Sequence, residues 1–199
     1  IVTQLKILVI AEHNDSELND SVFKVISAAK SWDGEIDLLI MGKNTADVAQ
    51  NAAKIKDLSS IIRLDGNHLE HLLAEDAAKI VEMLSDSYQV ILAAHSWFSR
   101  NFLPRVAAIL NVSLITDVLK IENNNVYTRS IYAGNVHAKI HSKDPIQLLT
   151  IHTSLFDACA KDGGDAKVIK KDSPAPMNLT SWKSEKINKS DRPALIDAK

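Results

Sequence analysis

Short apolar runs alternate with amphipathic stretches through the first half of the chain. Lys6-Ile7-Leu8-Val9-Ile10 is a run typical of a strand covered on both faces. After the polar stretch His13-Asn14-Asp15-Ser16, the positions of Leu18, Val22, Val25, Ile26 and Ala29 fall on one helix face. Gly34 closes this unit, and residues 36–41 predict a second buried strand. Thr45 is placed to cap a helix carrying Val48, Ala52 and Ile55. Residues 60–64 predict a third strand, and Leu69, Leu72, Leu73, Ala77, Ile80 and Leu84 predict one long amphipathic helix. A fourth strand follows at 89–94. The next helix has Asn101 or Ser99 as its cap, Pro104 in its first turn and Leu103, Val106 and Leu110 as its apolar stripe.

Four strand–helix repeats imply an α/β fold, a three-layer αβα sandwich around a mostly parallel sheet. The pattern then changes. Residues 126–132, 136–142 and 146–152 predict three strands with no room for helices between them. Ala133-Gly134-Asn135 and Lys143-Asp144-Pro145 supply turn residues, so an antiparallel meander at one edge of the sheet is expected. Residues 113–122 bridge the two parts as a further strand. This places one domain at 1–160. Residues 161–199 read as linker and tail, because Gly163-Gly164 and Ser173-Pro174-Ala175-Pro176 break the pattern and Trp182, Ile187, Pro193 and Leu195 stand in polar surroundings. Such a tail cannot build its own core; it docks on the domain, docks on a partner or stays mobile.

Composition narrows the function more than the fold. With 199 residues, 46% of them hydrophobic, the chain can bury one full-sized core. A formal net charge of -2 and scattered lysines leave no basic stripe for nucleic acid. The single cysteine, Cys159, excludes an internal disulfide framework and fits a reducing compartment. No apolar run approaches the roughly 20 residues that span a bilayer, and 1–10 is too short for a signal peptide, so a soluble intracellular protein without membrane insertion is expected.

Chemistry is sparse. The first strand ends in Ala11-Glu12-His13-Asn14, without a Gly-x-Gly-x-x-Gly or P-loop turn, and the chain holds only 6 glycines. His13, and His95 with Ser96, follow the first and fourth strands, at the carboxyl ends where ligands bind in open α/β sheets. They either mark a remnant nucleotide pocket or a catalytic pair, or else satisfy backbone groups and line a subunit contact. The second is favoured, because no third group is positioned by sequence. His68 and His71 lack a neighbouring ligand in metal-site spacing, while His137 and His141 stand about 13 Å apart on a strand, too far to share an ion. Cys159 reads as a small half-buried thiol. Arg129, on a strand face with Tyr127 and Ile131, suits an interface anchor or a solvated position equally.

Several strings resemble one known family. Leu8-Val9-Ile10-Ala11-Glu12-His13 resembles the opening strand of the electron transfer flavoprotein alpha subunit, and Asn101-Phe102-Leu103-Pro104-Arg105-Val106-Ala107-Ala108 its fourth-helix signature. Thr128-Arg129-Ser130-Ile131-Tyr132-Ala133-Gly134-Asn135 is similar to the family's most distinctive segment. Thr153-Ser154-Leu155-Phe156-Asp157-Ala158 and Lys189-Ser190-Asp191-Arg192-Pro193 also resemble family strings, in the family's order. The resemblance implies an αβα domain of the adenine nucleotide alpha hydrolase-like kind that packs against a beta subunit. It implies one FAD in the intact heterodimer, held mainly by a further domain beyond Lys199, and an AMP in the beta subunit. No cofactor, metal or catalytic residue is expected within these residues, so the chain itself is no enzyme. The implied electron donors are flavin dehydrogenases, including those of fatty acid β-oxidation. The implied acceptor is a membrane quinone oxidoreductase, and the implied location the bacterial cytoplasm or mitochondrial matrix. Arg129, Tyr132, Gly134 and Asn135 are the expected subunit-interface residues. Asp191, Arg192 and Pro193 are the expected interdomain hinge, since Pro193 fixes its own φ and biases Arg192 to extended geometry. A free-standing adenine-nucleotide-binding domain is the alternative, and a hydrolase using His95 and Ser96 a third reading.

Overall fold

A computed structural model describes residues 4–123 and 125–186. Asp191, Arg192 and Pro193 lie outside the described residues. The strands are β1 (Leu5–Ile10), β2 (Gly34–Gly42), β3 (Ser60–Asp65), β4 (Val90–Ala94), β5 (Leu114–Asn123), β6 (Val126–Ile131), β7 (Val136–His141), β8 (Gln147–Ile151) and β9 (Lys167–Asp172). The helices are α1 (Asp20–Ala29), α2 (Ala46–Ala52), α3 (Ala74–Ser85) and α4 (Trp97–Leu110). Among the described residues the strands form one sheet in the order β7-β6-β5-β8-β4-β1-β2-β3-β9. From β5 to β9 the pairing is parallel; β6 and β7 add to the edge antiparallel.

Alternation along the strands divides the core into two layers. Ile7, Val9, Leu38 and Ile40 meet α1 and α2 on one face. Leu8, Ile10, Leu39 and Met41 meet α3 and α4 on the other. The α/β sandwich with an antiparallel edge is therefore what the sequence pattern implied. From β1 the chain moves outward through β2 and β3, then returns to β4 on the other side of β1. That reversal opens a crevice between the carboxyl ends of β1 and β4, where an open α/β sheet takes ligands.

Four local expectations differ from the structure. The predicted long third helix is two pieces: a 3₁₀ turn at Asn67–Leu69 and α3 from Ala74, separated by Leu72 at φ 37°. Both pieces turn leucines toward one core, so a single periodicity spans the break. Thr45 stands at the N-cap position of α2 but its side chain makes no capping bond; its hydroxyl and N–H instead donate to Asp65 Oδ1 at the end of β3, at 2.6 and 2.9 Å. The cap of α4 is Ser96, not Ser99 or Asn101, and Pro104 lies mid-helix. Proline there removes the bond to the Arg100 carbonyl, but Arg100 and Pro104 lie on the exposed face, where water can serve that oxygen. Finally, β8 is no third meander strand. It inserts between β5 and β4, and all five of its residues are buried, as a central strand requires.

The tail docks on the domain. β9 pairs in parallel with β3 from Ser60↔Lys167 to Asp65↔Asp172 and becomes the outermost strand on that side. The next residues strap across the start of α3. Met177 N–H donates to Asp76 Oδ1 (2.8 Å), Thr180 N–H and hydroxyl donate to Glu75 Oε1 (2.8 and 2.5 Å), and Trp182 stacks on His71 with ring centroids 3.9 Å apart. The Thr180 hydroxyl is the chief reason the Glu75 carboxyl is held below its ordinary pKa. A lowered folded-state value means the strap is stabilised above the ordinary carboxylate range, and that stabilisation fades as pH falls through the lowered value. The protection of the Thr180 amide, its exchange taken relative to the intrinsic rate at each pH, is therefore expected to fall as pH drops below 4.5. In a Thr180→Val variant, exchange there is expected to be faster at neutral pH and to respond less to acid.

Candidate functional site

The crevice beside β1 is an open cleft of about 280 Å³ lined by Glu12, His13, Asp15, Gly42, Glu70, His71 and Phe98, among others. His13 enters it as a structural group. Its Nε2–H donates to the Met41 carbonyl (2.9 Å), and its Nδ1 accepts the Asp15 N–H (3.1 Å). Both ring nitrogens are used by the backbone of the strand ends. Glu12 is bound more tightly: the Ser96 hydroxyl donates to its carboxylate at the N-terminus of α4. Burial raises the pKa of Glu12, and the Ser96 bond opposes that rise. The place where a helix N-terminus would receive a phosphate is thus filled by the chain's own carboxylate. Asp15 and Glu70 also line the cleft, Glu70 paired with Lys43 at 2.8 Å, so three acidic groups surround it.

A second cluster lies at the carboxyl ends of β4, β8 and β5. His95 Nδ1 is 2.9 Å from Thr150 Oγ1, and the same oxygen accepts the Asp117 N–H at 2.9 Å. Thr150 is fully buried, so its hydroxyl joins the Asp117 backbone to the His95 ring out of reach of solvent. Burial lowers the His95 pKa; Asp117 pulls it up, while Arg100, His152 and Arg129 add to the lowering. Asp117 Oδ1 pairs with His152 Nδ1 at 2.7 Å. Asp117 itself stands at φ 57° where the register of β5 on β8 shifts, a non-glycine residue in the left-handed region that this bonding holds in place.

Arg129 belongs to this cluster, opposite Val118 on β5 and Ala138 on β7. Its Nε is buried and has no hydrogen-bond partner among the described residues. Tyr132, Gly134 and Asn135 lie farther along, on the turn between β6 and β7. Tyr132, Ala133 and Gly134 all have positive φ, and the Asn135 side chain donates to the Tyr132 carbonyl at 2.9 Å. The turn holds the Tyr132 ring 78% exposed. The structure thus groups three of the sequence-expected residues at the hairpin tip and sets Arg129 apart beside Asp117. Sequence reasoning missed Thr150 as the partner of His95, and Asp117 and His152 as the rest of its network. A polar Thr116-Asp117 step inside an apolar strand was the available signal.

The remaining candidates resolve simply. Trp182 covers His71, and His68 packs beside Gly66. His137 and His141 are exposed on β7. Burial, then Asp57, pushes the Cys159 thiol up, opposite to an activated nucleophile. Besides Tyr132, the most exposed large apolar side chains are Trp97 (85%) on α4, Leu179 (67%) on the tail and Leu155 (59%) after β8. No helix among the described residues is long and apolar enough to cross a membrane.

Residues 7–176 match the family model described as electron transfer flavoprotein domain. The chain is 37% identical to the electron transfer flavoprotein subunit alpha of Pseudomonas aeruginosa over 98% of its own length and 63% of that protein's. It is 35% identical to the mitochondrial subunit alpha of Dictyostelium discoideum over 96% of its own length and 59% of that protein's. With the subunit alpha of Paracoccus denitrificans the identity is 34%, over 98% and 63%. The chain therefore spans about three fifths of the length of these curated relatives.

Proposed function

The chain belongs to the electron transfer flavoprotein family, and from that premise we propose that it scaffolds an alpha/beta heterodimer whose redox work is done elsewhere. The observation that carries this reading is a contrast at the carboxyl end of the sheet. At that end the Ser96 hydroxyl at the start of α4 is already bonded to the chain's own Glu12, whereas Trp97 and Leu155 stand exposed. Apolar surface left open beside a helix start whose capping hydroxyl is already engaged supports protein docking.

FAD is the cofactor the family implies. Its pyrophosphate does not fit this crevice: Glu12, Asp15 and Glu70 line it, and the Ser96 hydroxyl that caps α4 is already bonded to Glu12. The same chemistry weighs against a free-standing adenine-nucleotide-binding domain. In our reading the flavin is held by the two fifths of the relatives' length that this chain does not match, and an AMP by the beta subunit. The assembled carrier takes electrons from flavin dehydrogenases and passes them to a membrane quinone oxidoreductase. Arg129, Tyr132, Gly134 and Asn135 face the beta subunit, and Asp191, Arg192 and Pro193 lead toward the flavin-holding part. The mitochondrial names of eukaryotic relatives support the matrix as the location there, and the cytoplasm in bacteria.

Sedimentation velocity on the chain mixed with a purified beta subunit of the family tests this. A single faster boundary with one-to-one composition is expected, and no flavin absorbance should co-sediment with the chain alone. Two independent boundaries, or stoichiometric flavin on the isolated chain, overturn the reading.

A further inference from the structure

The cluster around His95 has a charge imbalance that its own residues do not resolve. Asp117 is the carboxylate among them, and it is committed: its side chain to His152, its N–H to Thr150. Arg129 and Arg100 make no ion pair with a carboxylate among the described residues, and the Arg129 Nε is shielded from water with nothing to donate to. Arg100 instead lies over the Trp97 indole, 5.2 Å from the ring centroid, and that indole is 85% exposed. A guanidinium on an open aromatic face is preorganised, because its plane is already fixed before anything binds. Arg100 stands in the first turn of α4, just past the carboxyl end of β4, and Arg129 stands opposite Val118, which pairs with Ile151 at the carboxyl end of β8, so both guanidinium groups belong to the same end of the sheet.

We infer that Arg129 and Arg100, with Trp97 beside them, form an anchor that receives an acidic side chain of the beta subunit. This rests on the docking function proposed above and adds the chemistry of recognition to it. Three observations select a protein carboxylate. Two unpaired guanidinium groups against one committed carboxylate call for a negative partner. Neither cleft described for the chain is lined by Arg129, Arg100 or Trp97, so the anchor is surface rather than a small-molecule cavity. Tryptophan and arginine are also the residue types that dominate binding at protein interfaces. Burial holds the His95 pKa below its ordinary value, so the anchor's cationic character rests on the arginines.

Calorimetric titration of the chain with purified beta subunit, at low and at high salt, tests the anchor. Arg129→Gln is expected to weaken binding by about 30-fold or more, the lower end for truncating one side of a buried charge pair. Arg129→Lys restores only part of this, because an ammonium cannot make the forked contact. Trp97→Ala is expected to cost about tenfold, as a hot-spot aromatic does, with an unchanged melting temperature. Salt dependence should be shallower in Arg129→Gln than in the parent chain. If Arg129→Gln unfolds, the exposed double variant Trp97→Ala/Arg100→Gln decides alone. Binding within threefold of the parent for that variant, or for both Arg129→Gln and Trp97→Ala, overturns the anchor while leaving the heterodimer intact. A parent chain that forms no complex at all overturns the proposed function and the anchor together.

Discussion

Phe102→Ala is expected to lower stability by about 3–5 kcal/mol, the range for emptying a buried aromatic position. The ring is 1% exposed in the layer between α4 and the sheet, and Phe98 meets it edge-on with centroids 5.1 Å apart. Little nearby can collapse into the space, since Leu103 and Val106 are already fully buried. For a domain of this size the loss corresponds to a melting temperature lower by about 10 °C. The effect reaches function through α4. Pro104 withdraws one bond from the helix ladder, so packing of Phe102 helps keep the first two turns in place. Those turns carry Ser96, Trp97 and Arg100. Calorimetric melting checks the stability, and affinity for the beta subunit, measured well below the lowered midpoint, is expected to fall as well. A melt within 2 °C of the parent would show that α4 is held by something other than this ring.

Thr150→Val is expected to cost about 2–4 kcal/mol, because it nearly preserves shape while stranding two buried partners. The Thr150 hydroxyl accepts the Asp117 N–H and shares a hydrogen bond with His95 Nδ1. Valine fills the same volume in the fully buried middle of β8 but offers neither function. Asp117 would lose the bond that holds its left-handed backbone, and with it the bulge that aims its carboxylate at His152. Thr150→Ser keeps the hydroxyl and loses only a methyl, so it should retain more than half of the difference. Chemical denaturation of both variants separates the two contributions. Equal losses in serine and valine would mean that packing, not hydrogen bonding, keeps this position.

Most of the architecture was legible because burial writes periodicity into a chain. The runs at Ile7-Leu8-Val9-Ile10 and Val90-Ile91-Leu92 are apolar throughout because both faces of those strands are covered. Where two structures satisfy one pattern, the sequence did not choose between them. Leu69 and Leu72 continue the spacing of α3 although a break with positive φ separates them from it. The uninterrupted Leu148-Leu149 pair marked β8 as central, but its neighbours in sequence are edge strands, and proximity in the chain suggested a meander. Less of the site could be read. Glu12 meets Ser96 across 84 positions and His95 meets Thr150 across 55, distances at which no local spacing rule operates. The interface residues came from resemblance, and only their placement on one hairpin follows from pattern.

Residues 167–172 were read as tail, yet they complete the sheet as β9. Before they arrive, β3 presents a full row of free amides and carbonyls, flanked by Ile61, Ile62 and Leu64. During synthesis, that row stays open until more than a hundred further residues have emerged. An unpaired apolar rim of this kind is a template for any other extended polypeptide. A version shortened to residues 1–160 would keep its helices and central strands and still be prone to self-association, with the growing aggregate seeded from β3.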